Sequence, residues 1–484
     1  MKKKILFTLL LVMLFPFVVK AQDVTVTSFN ELKANNVSGN VLNYTGTELA
    51  LTEDITLVAS LYIKADTTLN LNGHKLTLAA NSGNYTVVVF NQLTINGEGT
   101  VIVADYDGFA TAGSGSPKLI VNGGTFTQTA DDYMFGLFAG EMIFNDGTFT
   151  APYCVVNNFA GLYNLNGKLT INGGTFKTTG TDDWGDGTVM NSGIAEINGG
   201  TFTSEGNESA GGFGAAIYTD PTGTTTISRG TFTTTGQGAV TIYNLGTTVI
   251  ENGSFESTNG SAIENDTASS ANASLTLIGG SYSDSANSVA PFVDNDSAQY
   301  TNNEGNAVVV PRDVLVIKTF PVLSDASQAD LALINEAMSD GFQLAKTFDV
   351  TAWLVNPNDN NARVEQLTST GEEVEVTLDV SDLPDVPEGM VREFEVIKVH
   401  NGVAEGLQAD DNGDGTISTL SSEFSTYAVT YRDTDSTQNR EDDSETVPTT
   451  GANPGTGDTI LLFVLLMVFG LAGITVTSKK LANR

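Results

Sequence analysis

A short phrase of glycine, then threonine or serine, then an aromatic residue returns seven times along this chain of 484 residues. The aromatic residues are Phe126, Phe149, Phe176, Phe202, Phe232, Phe255 and Tyr282, at steps of 23 to 30 residues. The matching glycines are Gly124, Gly147, Gly174, Gly200, Gly230, Gly253 and Gly280. A period in this range is typical of a solenoid, in which each repeat buries its apolar edge by stacking on its neighbours. We therefore expect an elongated stack of coils.

The residues around each glycine have the periodicity of β-strands. In segments 169–171 and 175–177, apolar and polar residues alternate, which sends Leu169, Ile171 and Phe176 to one side and the threonines to water. The glycine between two such strands suits a tight corner that needs positive φ. The repeat therefore predicts an all-β coil whose corners recur in register.

Asparagines recur at fixed places in the repeat. Four residues before the aromatic they are Asn122, Asn145, Asn172 and Asn198, and similar corners upstream contain Asn72 and Asn96. Because a buried unpaired amide is costly, we expect these amides to form a hydrogen-bonded ladder at a buried turn. A second ladder is predicted along the middle strand at Asn91, Asn157, Asn191, Asn244 and Asn265, with Thr219 as one replacement. Ser228, Glu251 and Ile278 replace the first ladder in the last coils, which predicts less regular stacking there.

This pattern resembles the right-handed parallel β-helix of the pectin-lyase-like superfamily. The phrases at 28–32, 51–57 and 67–78 are similar to the first coils of such β-helices in bacterial surface proteins. The resemblance covers about residues 24–300 and predicts a β-helix over residues 22–311. It implies a fold and little about function. A purely structural role for the aromatic and asparagine stripes remains the alternative.

The first 21 residues are predicted to be a secretory signal peptide. Lys2, Lys3 and Lys4 precede an apolar run over residues 5–19, and small residues near Ala21 offer a cleavage site before Gln22. A basic start, a short apolar run and small residues at its end are typical of an exported protein. The apolar run is too short for a membrane-spanning helix.

The other end, residues 453–484, looks like a Gram-positive cell-wall sorting signal. It contains the pentapeptide Asn453, Pro454, Gly455, Thr456 and Gly457, an apolar stretch over residues 460–477 and a basic tail. The resemblance to the LPxTG-type motif implies that a sortase cuts after Thr456 and joins the protein to peptidoglycan. Asn453 replaces the usual leucine, which leaves the sortase class open. The alternative is an uncleaved membrane anchor, with residues 460–477 as a transmembrane helix.

Composition agrees with an extracellular location and argues against nucleic acid as a partner. The formal charge is -35, from 22 basic and 57 acidic residues. Nucleic-acid binding is not expected, because no basic patch is available to neutralise phosphates. The single cysteine, Cys154, cannot form an internal disulfide and lies in an apolar phrase, so we expect it to be buried.

Residues 312–432 are predicted to form a short helix and a small antiparallel β-sandwich. Helical spacing is found at 327–338, and strand patterns at 348–355, 373–380, 392–402, 415–420 and 424–433. The phrases at 399–402 and 424–429 resemble a stalk domain often found next to the anchor of Firmicutes surface proteins, which implies a spacer or load-bearing role. Residues 433–452 lack an apolar period and predict a disordered tether.

One phrase in this region imitates a calcium loop. Asp410, Asn412, Asp414 and Gly415 match the first, third, fifth and sixth positions of an EF-hand-like pattern. The twelfth position is Ser421 instead of glutamate, and no flanking helices are predicted. A polar hairpin turn is the alternative. Calcium is the single cofactor that the sequence suggests, and no dedicated metal site is predicted apart from this loop.

The turns that follow the aromatics suggest a ligand-binding edge. The candidates are Asp131, Asp132 and Tyr133 in one coil, Asp182, Asp183, Trp184 and Asp186 in a later coil, and Glu208 after Asn207. Carboxylates beside exposed rings can hold sugar hydroxyls and stack on pyranose faces, and a carboxylate row can also take up calcium. The alternative is a solvated acidic edge in an acidic protein.

An enzyme is the less favoured interpretation. Lyases of this fold use a basic residue and hydrolases need a close set of acidic groups, but segment 22–311 contains one arginine, Arg229, and one histidine, His74, in a corner phrase. We therefore expect a wall-anchored surface protein that binds host or microbial glycans or matrix. A wall-bound polysaccharide lyase or glycoside hydrolase is the second hypothesis, and a passive spacer is the third.

Overall fold

The computed structural model describes residues 22–80, 85–104, 107–163, 165–180, 187–207 and 214–435. Most of this chain is a right-handed parallel β-solenoid with three sheets, confirming the all-β solenoid expected from the repeats. Each coil contributes one strand to each sheet in the order sheet 1, sheet 2, sheet 3. Among the described residues, no helix is long and apolar enough to span a membrane. The predicted signal peptide, sorting pentapeptide and helix 460–477 lie outside these residues. Most of the predicted tether does too, but its start was placed wrongly, because residues 433–435 form the end of strand Thr426–Asp435.

The three sheets are built from short strands stacked in coil order. Sheet 1 contains Asp23–Val26, Val41–Tyr44, Ser60–Ile63, Val87–Val89, Phe109–Thr111, Tyr133–Leu137, Cys154–Asn158, Gly187–Asn191, Ala215–Thr219, Ile242–Asn244 and Ile263–Asn265. Sheet 2 contains Glu48–Ala50, Thr67–Asn70, Gln92–Asn96, Lys118–Val121, Gly140–Phe144, Gly167–Ile171, Ile194–Ile197, Thr224–Ile227, Thr247–Ile250 and Ser274–Leu277. Sheet 3 contains Ile55–Leu57, Lys75–Leu78, Thr100–Val103, Thr125–Gln128, Thr148–Ala151, Thr175–Thr178, Thr201–Ser204, Thr231–Thr234, Ser254–Ser257 and Gly280–Tyr282, followed by Ala307–Pro311 and Ser297–Thr301.

The repeated aromatics form a continuous column inside the solenoid. All seven are at most 1% exposed. Their ring centroids follow one another at 4.7 to 5.0 Å from Phe126 to Tyr282. The inward direction predicted from the alternation is therefore confirmed. Gly174 has φ 101°, and a Cβ there would lie 3.0 Å from the carbonyl oxygen of Gly147, so the corner has no room for a side chain.

The first asparagine ladder exists but faces solvent. Each amide nitrogen donates to the side-chain oxygen of the preceding coil, at 2.7, 2.6, 2.8 and 2.9 Å along the chain Asn96, Asn122, Asn145, Asn172 and Asn198. The expectation of a buried turn was wrong, because the corner bends outward and leaves these side chains exposed or half-buried.

Stacking beyond the ladder is also more regular than predicted. Consecutive rings from Phe202 to Tyr282 deviate from parallel by only 5° to 8°, whereas Phe126 and Phe149 deviate by 26°. The aromatic column and the strand hydrogen bonds therefore hold the register without the external amides.

The second ladder is buried and uses a different residue from the one predicted. Asn158, not Asn157, is in register with Asn191, and the row continues through Thr219, Asn244 and Asn265. Asn158 Nδ2 donates to Asn191 Oδ1 at 2.9 Å, and Asn244 Nδ2 donates to Asn265 Oδ1 at 2.6 Å. Asn91 is exposed and outside the row, because the strand before it ends at Val89. The last coils thus have a partly polar interior.

Both ends of the solenoid are closed by other elements. At the start, helix Phe29–Asn35 buries Phe29 and Leu32, and Ser28 Oγ caps it by accepting the Glu31 N–H. The Ser28-to-Glu31 spacing is a capping-box signal that strand periodicity hides. At the other end, Ala307–Pro311 pairs antiparallel with Gly280–Tyr282 and with Ser297–Thr301. Near this end lie helix Ala286–Val289 and the 3₁₀ turns Ala290–Phe292 and Arg312–Val314. One further 3₁₀ turn, Ala160–Tyr163, lies in the middle of the solenoid.

The remaining described residues form antiparallel strands and one helix. The strands are Val316–Leu323, Gln343–Asn356, Ala362–Leu367, Ser369–Asp379, Met390–His400, Val403–Leu407, Asp410–Asp411, Thr416–Glu423 and Thr426–Asp435. The predicted helix is confirmed at Gln328–Ala337, with Ser327 as its cap. Contacts divide the described chain into two compact units, one of residues 22–322, 349–377 and 420–425 and one of residues 323–348, 378–419 and 426–435.

The second unit has its own small core. Met390–His400 pairs antiparallel with Val403–Leu407 and with Thr426–Asp435. Ile334 of the helix is fully buried in a cluster with Ile397, Val399 and Ala428. The helix therefore covers one face of these strands.

Candidate functional site on the outer face of sheet 1

The outer face of sheet 1 carries a row of side chains in register across the coils. In coil order these are Tyr62, Val88, Ala110, Gly136, Asn157, Met190, Tyr218, Tyr243 and Glu264. The first residues after the strands extend the same face with Phe90, Phe138 and Phe159. This face therefore differs from the threonine-rich outer face of sheet 3.

Aromatic rings group at three places on this face. Tyr62 and Phe90 lie 5.4 Å apart, and Tyr218 and Tyr243 stack at 5.7 Å with parallel planes. The third group lies between them, where Phe138 stacks on Phe159 at 4.8 Å and on Tyr163 at 5.8 Å. These rings are half-buried except Tyr243, which is 4% exposed and donates from its hydroxyl to Asp266 Oδ2 at 2.8 Å.

The central group extends toward the start of the sheet 1 strands. The ring of Tyr133 lies edge-on to Tyr153 at 5.3 Å and to Phe159 at 5.1 Å. Beside it, Asn157 is 2% exposed, donates to the sulfur of Met190 at 3.6 Å and leaves its Oδ1 without a hydrogen-bond partner. The sheet surface beneath the packed rings is therefore partly polar, because it contains the Asn157 side chain.

Two carboxyl groups meet at the edge of this group. Asp107 and Asp132 come from consecutive coils, and the Tyr133 N–H donates to Oδ1 of both, at 3.3 and 3.0 Å, which brings the two carboxyl groups together. Burial, followed by the charge of Asp132, raises the pKa of Asp107 to about 8. Burial also raises the pKa of Asp132. The pair therefore holds a proton at neutral pH.

The sequence-based candidates divide between described and undescribed residues. Asp131 is exposed, Asp132 is half-buried against Asp107, and the Tyr133 ring is packed and not free in solvent. Asp182, Asp183, Trp184, Asp186 and Glu208 lie outside the described residues. Asp107 was missed, although its distance of 25 residues from Asp132 is one coil length and could have indicated the pair.

The polar groups that could serve an enzyme have other roles in the described solenoid. His74 lies at a corner with its Nδ1 3.7 Å from Asp54 Oδ1. Lys118, Lys168 and Lys177 each pair with a glutamate of the next coil at 2.7 to 2.8 Å. Asp107 and Asp132 both accept the Tyr133 N–H, which ties this carboxyl pair to the backbone.

The calcium-like loop folds as a hairpin. Asp410 and Asp411 pair with Ser418 and Ile417, and Asn412 Nδ2 donates to Thr416 Oγ1 at 2.9 Å. Asp414 Oδ1 accepts the Thr416 N–H at 3.0 Å. No cluster of three or more histidine, cysteine or acidic side chains suited to a metal occurs in the part of the chain that the structure describes.

Cys154 is fully buried, as expected, and its thiol contacts the carbonyl oxygen of Val156 at 3.3 Å.

Comparison with models of known families, with curated proteins and with solved structures finds no match for this chain. The functional argument therefore rests on the residues themselves.

Proposed function

We propose that this protein is displayed on a bacterial cell surface and binds an extended glycan along the outer face of sheet 1. The observation that carries the proposal is the placement of three groups of aromatic rings on this one face. The exposed parts of aromatic rings pack on sugar rings, while neighbouring hydroxyl, amide and carboxyl groups bind sugar hydroxyls.

The length of the face favours a polymer over a single sugar. Tyr62 and Tyr243 are on strands seven steps apart in sheet 1, which corresponds to about 34 Å at roughly 4.8 Å per strand. Rings at both ends and in the middle would contact a chain that runs along the solenoid axis. The remaining candidates in 182–186 and Glu208 lie outside the described residues and precede Gly187–Asn191 and Ala215–Thr219 in sequence, and we propose that they contribute to the same face.

Surface display is proposed from the two ends of the chain. The basic and apolar start supports export, and the order of pentapeptide, apolar run and basic tail supports attachment to peptidoglycan by a sortase. The antiparallel unit before the tail is proposed to be a stalk. A membrane anchor through residues 460–477 is the alternative form of attachment.

A glycan array probed with the full chain tests the binding proposal. Tyr163→Ala combined with Tyr218→Ala removes a ring from two groups and should lower retention at least tenfold for any glycan that the parent binds. Thr148→Ala, on the exposed outer face of sheet 3, is the matched control and should retain the glycan fully. Equal retention by both variants would reject the outer face of sheet 1 as the binding surface.

Product analysis on every retained glycan separates the remaining hypotheses. Retention without product supports binding. New unsaturated ends would indicate a lyase and new reducing ends a hydrolase. Retention of no glycan, host matrix component or microbial polysaccharide would favour a spacer.

A further inference from the structure

The pairing of Asp107 with Asp132 joins two consecutive coils through side chains. Each residue lies in the turn that leads from sheet 3 to sheet 1, one before Phe109–Thr111 and the other before Tyr133–Leu137. Sheet pairing joins these strands from Phe109 and Phe135 onward, and just before it the Gly108 N–H donates to the Tyr133 carbonyl oxygen at 3.3 Å. The carboxyl pair extends the junction back to the turn, where regular pairing has not yet begun.

The contact requires a proton. A carboxylate has only acceptors, so two side-chain carboxyl groups form a hydrogen bond only when one carries hydrogen. Both groups also accept the same Tyr133 N–H, which places their oxygens together. Without the proton, two negative charges would share one amide donor.

The described groups that act on the pair offer no positive charge to replace that proton. The described groups that act on the pair are its own two carboxyls and the Tyr133 N–H, and both carboxyls in turn act on the buried Tyr85 hydroxyl. The two tyrosines beside the pair are neutral at pH 7, because burial raises the pKa of both Tyr85 and Tyr133. Among the described residues, Asp131 is the charged neighbour of Asp132 in sequence, and it is exposed. No lysine, arginine or histidine is among the described groups that act on the pair.

We propose that Asp107 and Asp132 form a proton-dependent clasp that closes the turn between two coils and holds Tyr133 against Tyr153 and Phe159. The clasp is closed when the pair shares a proton and opens when the proton leaves. This inference is independent of the proposed glycan binding.

The sign of the pH dependence follows from the raised pKa. A free aspartate loses its proton near pH 3.8, whereas Asp107 in the closed clasp keeps it to about pH 8. Between these values the closed form binds one proton more than the open form. The opening equilibrium therefore rises about tenfold per pH unit in this range and levels off above it. The closed form is therefore favoured most over the open form at low pH.

Hydrogen exchange of the Tyr133 amide in the full chain tests the clasp. After correction for intrinsic exchange, protection in the parent should fall about tenfold per pH unit between pH 5 and pH 8. Asp107→Asn should remove this slope, because an amide donates to the Asp132 carboxylate without a proton. Asp131→Asn, which alters the exposed neighbour, should keep the slope. A parent with no slope, or an Asp131→Asn variant that loses it, would overturn the proposal.

Infrared spectroscopy of the parent gives a second test that does not depend on a variant folding. A protonated carboxyl band should be present at pH 6.5 and disappear above pH 9. Asp132→Asn should lack the band at pH 6.5. Absence of the band from the parent at pH 6.5, or its persistence in Asp132→Asn, would overturn the clasp.

Discussion

Arg229 Nε donates a hydrogen bond to the carbonyl oxygen of Asn198 at 2.8 Å, at the coil where the exposed asparagine ladder ends. Ser228 occupies the next ladder position, so the guanidinium of the following residue provides the contact to the last amide-bearing corner. Arg229 is the single arginine in segment 22–311. Its contact gives this arginine a structural role and weakens the hypothesis that it serves as a lyase base.

Arg229→Ala is expected to affect stability modestly and any glycan retention not at all. The lost hydrogen bond is exposed, so the free energy of unfolding should fall by about 1 kcal/mol. Denaturant unfolding beside a glycan-binding assay measures both quantities. Loss of activity toward a polysaccharide at unchanged stability would instead support the enzyme hypothesis.

Phe176→Ala is expected to lower the free energy of unfolding by about 3 to 5 kcal/mol, because it empties one place in the buried aromatic column. Thr175→Ala, next to it and exposed, should be nearly silent. Thermal and denaturant unfolding of the two variants provide the comparison. A Phe176→Ala protein as stable as the parent would mean that the inward stripe is misassigned.

The two asparagine ladders should differ in their contribution to stability. Asn191 is fully buried, donates to Thr225 Oγ1 at 2.9 Å and accepts from Asn158 at 2.9 Å. Asn191→Ala removes both of these buried hydrogen bonds and should cost about 2 to 3 kcal/mol. Asn172→Ala in the exposed ladder should cost less than about 1 kcal/mol, since water replaces the lost bonds. Equal losses in denaturant unfolding would contradict this difference.

Thr456→Ala tests the proposed attachment to the cell wall. Sortase cleavage needs the threonine carbonyl in an extended peptide, and Pro454 and the preceding tether favour that conformation. The parent should fractionate with peptidoglycan, whereas the variant should stay with the membrane. Equal wall linkage of parent and variant, by fractionation and mass analysis of the C-terminus, would reject sorting and favour a plain anchor.

Asp183→Asn combined with Trp184→Ala tests the predicted acidic edge outside the described residues. A sugar or calcium site there predicts loss of ligand retention with almost unchanged thermal unfolding. In the parent, millimolar calcium should raise the melting temperature if carboxylates bind it. Unchanged retention together with unchanged melting in calcium would leave the edge as a solubilising surface.

The solenoid and its inward column could be predicted because strand alternation and a coil-length repeat both act locally. The direction of Phe176 follows from two neighbours, and the strand pairs fix the rest. The one-residue error at Asn157 arose because both 157 and 158 are asparagine, and only the pairing of Asn158 with Asn191 identifies the inward residue. The helix at Phe29–Asn35 was missed because a capping signal was interpreted as part of a coil.

The candidate site was harder to predict, since it depends on which turns meet. Asp132 was identified from its acidic neighbours, but Asp107 lies beside it only because Phe109 pairs with Phe135. Tyr133 was expected to present a free ring, and its packing against Phe159 depends on a residue from the next coil. Side-chain burial at such contacts follows from coil stacking and not from composition.

Because successive corners are structurally equivalent, only certain changes in the length of this chain preserve its fold. Gly147, Gly174 and Gly200 occupy equivalent backbone positions, and Phe149, Phe176 and Phe202 stack in equivalent ways. Insertion of one or two residues into a strand would turn its core side chains outward or shift every later contact. Duplication or deletion of a whole coil leaves each new neighbour a matching surface. Descendants of such a sequence would therefore differ in length by whole coils.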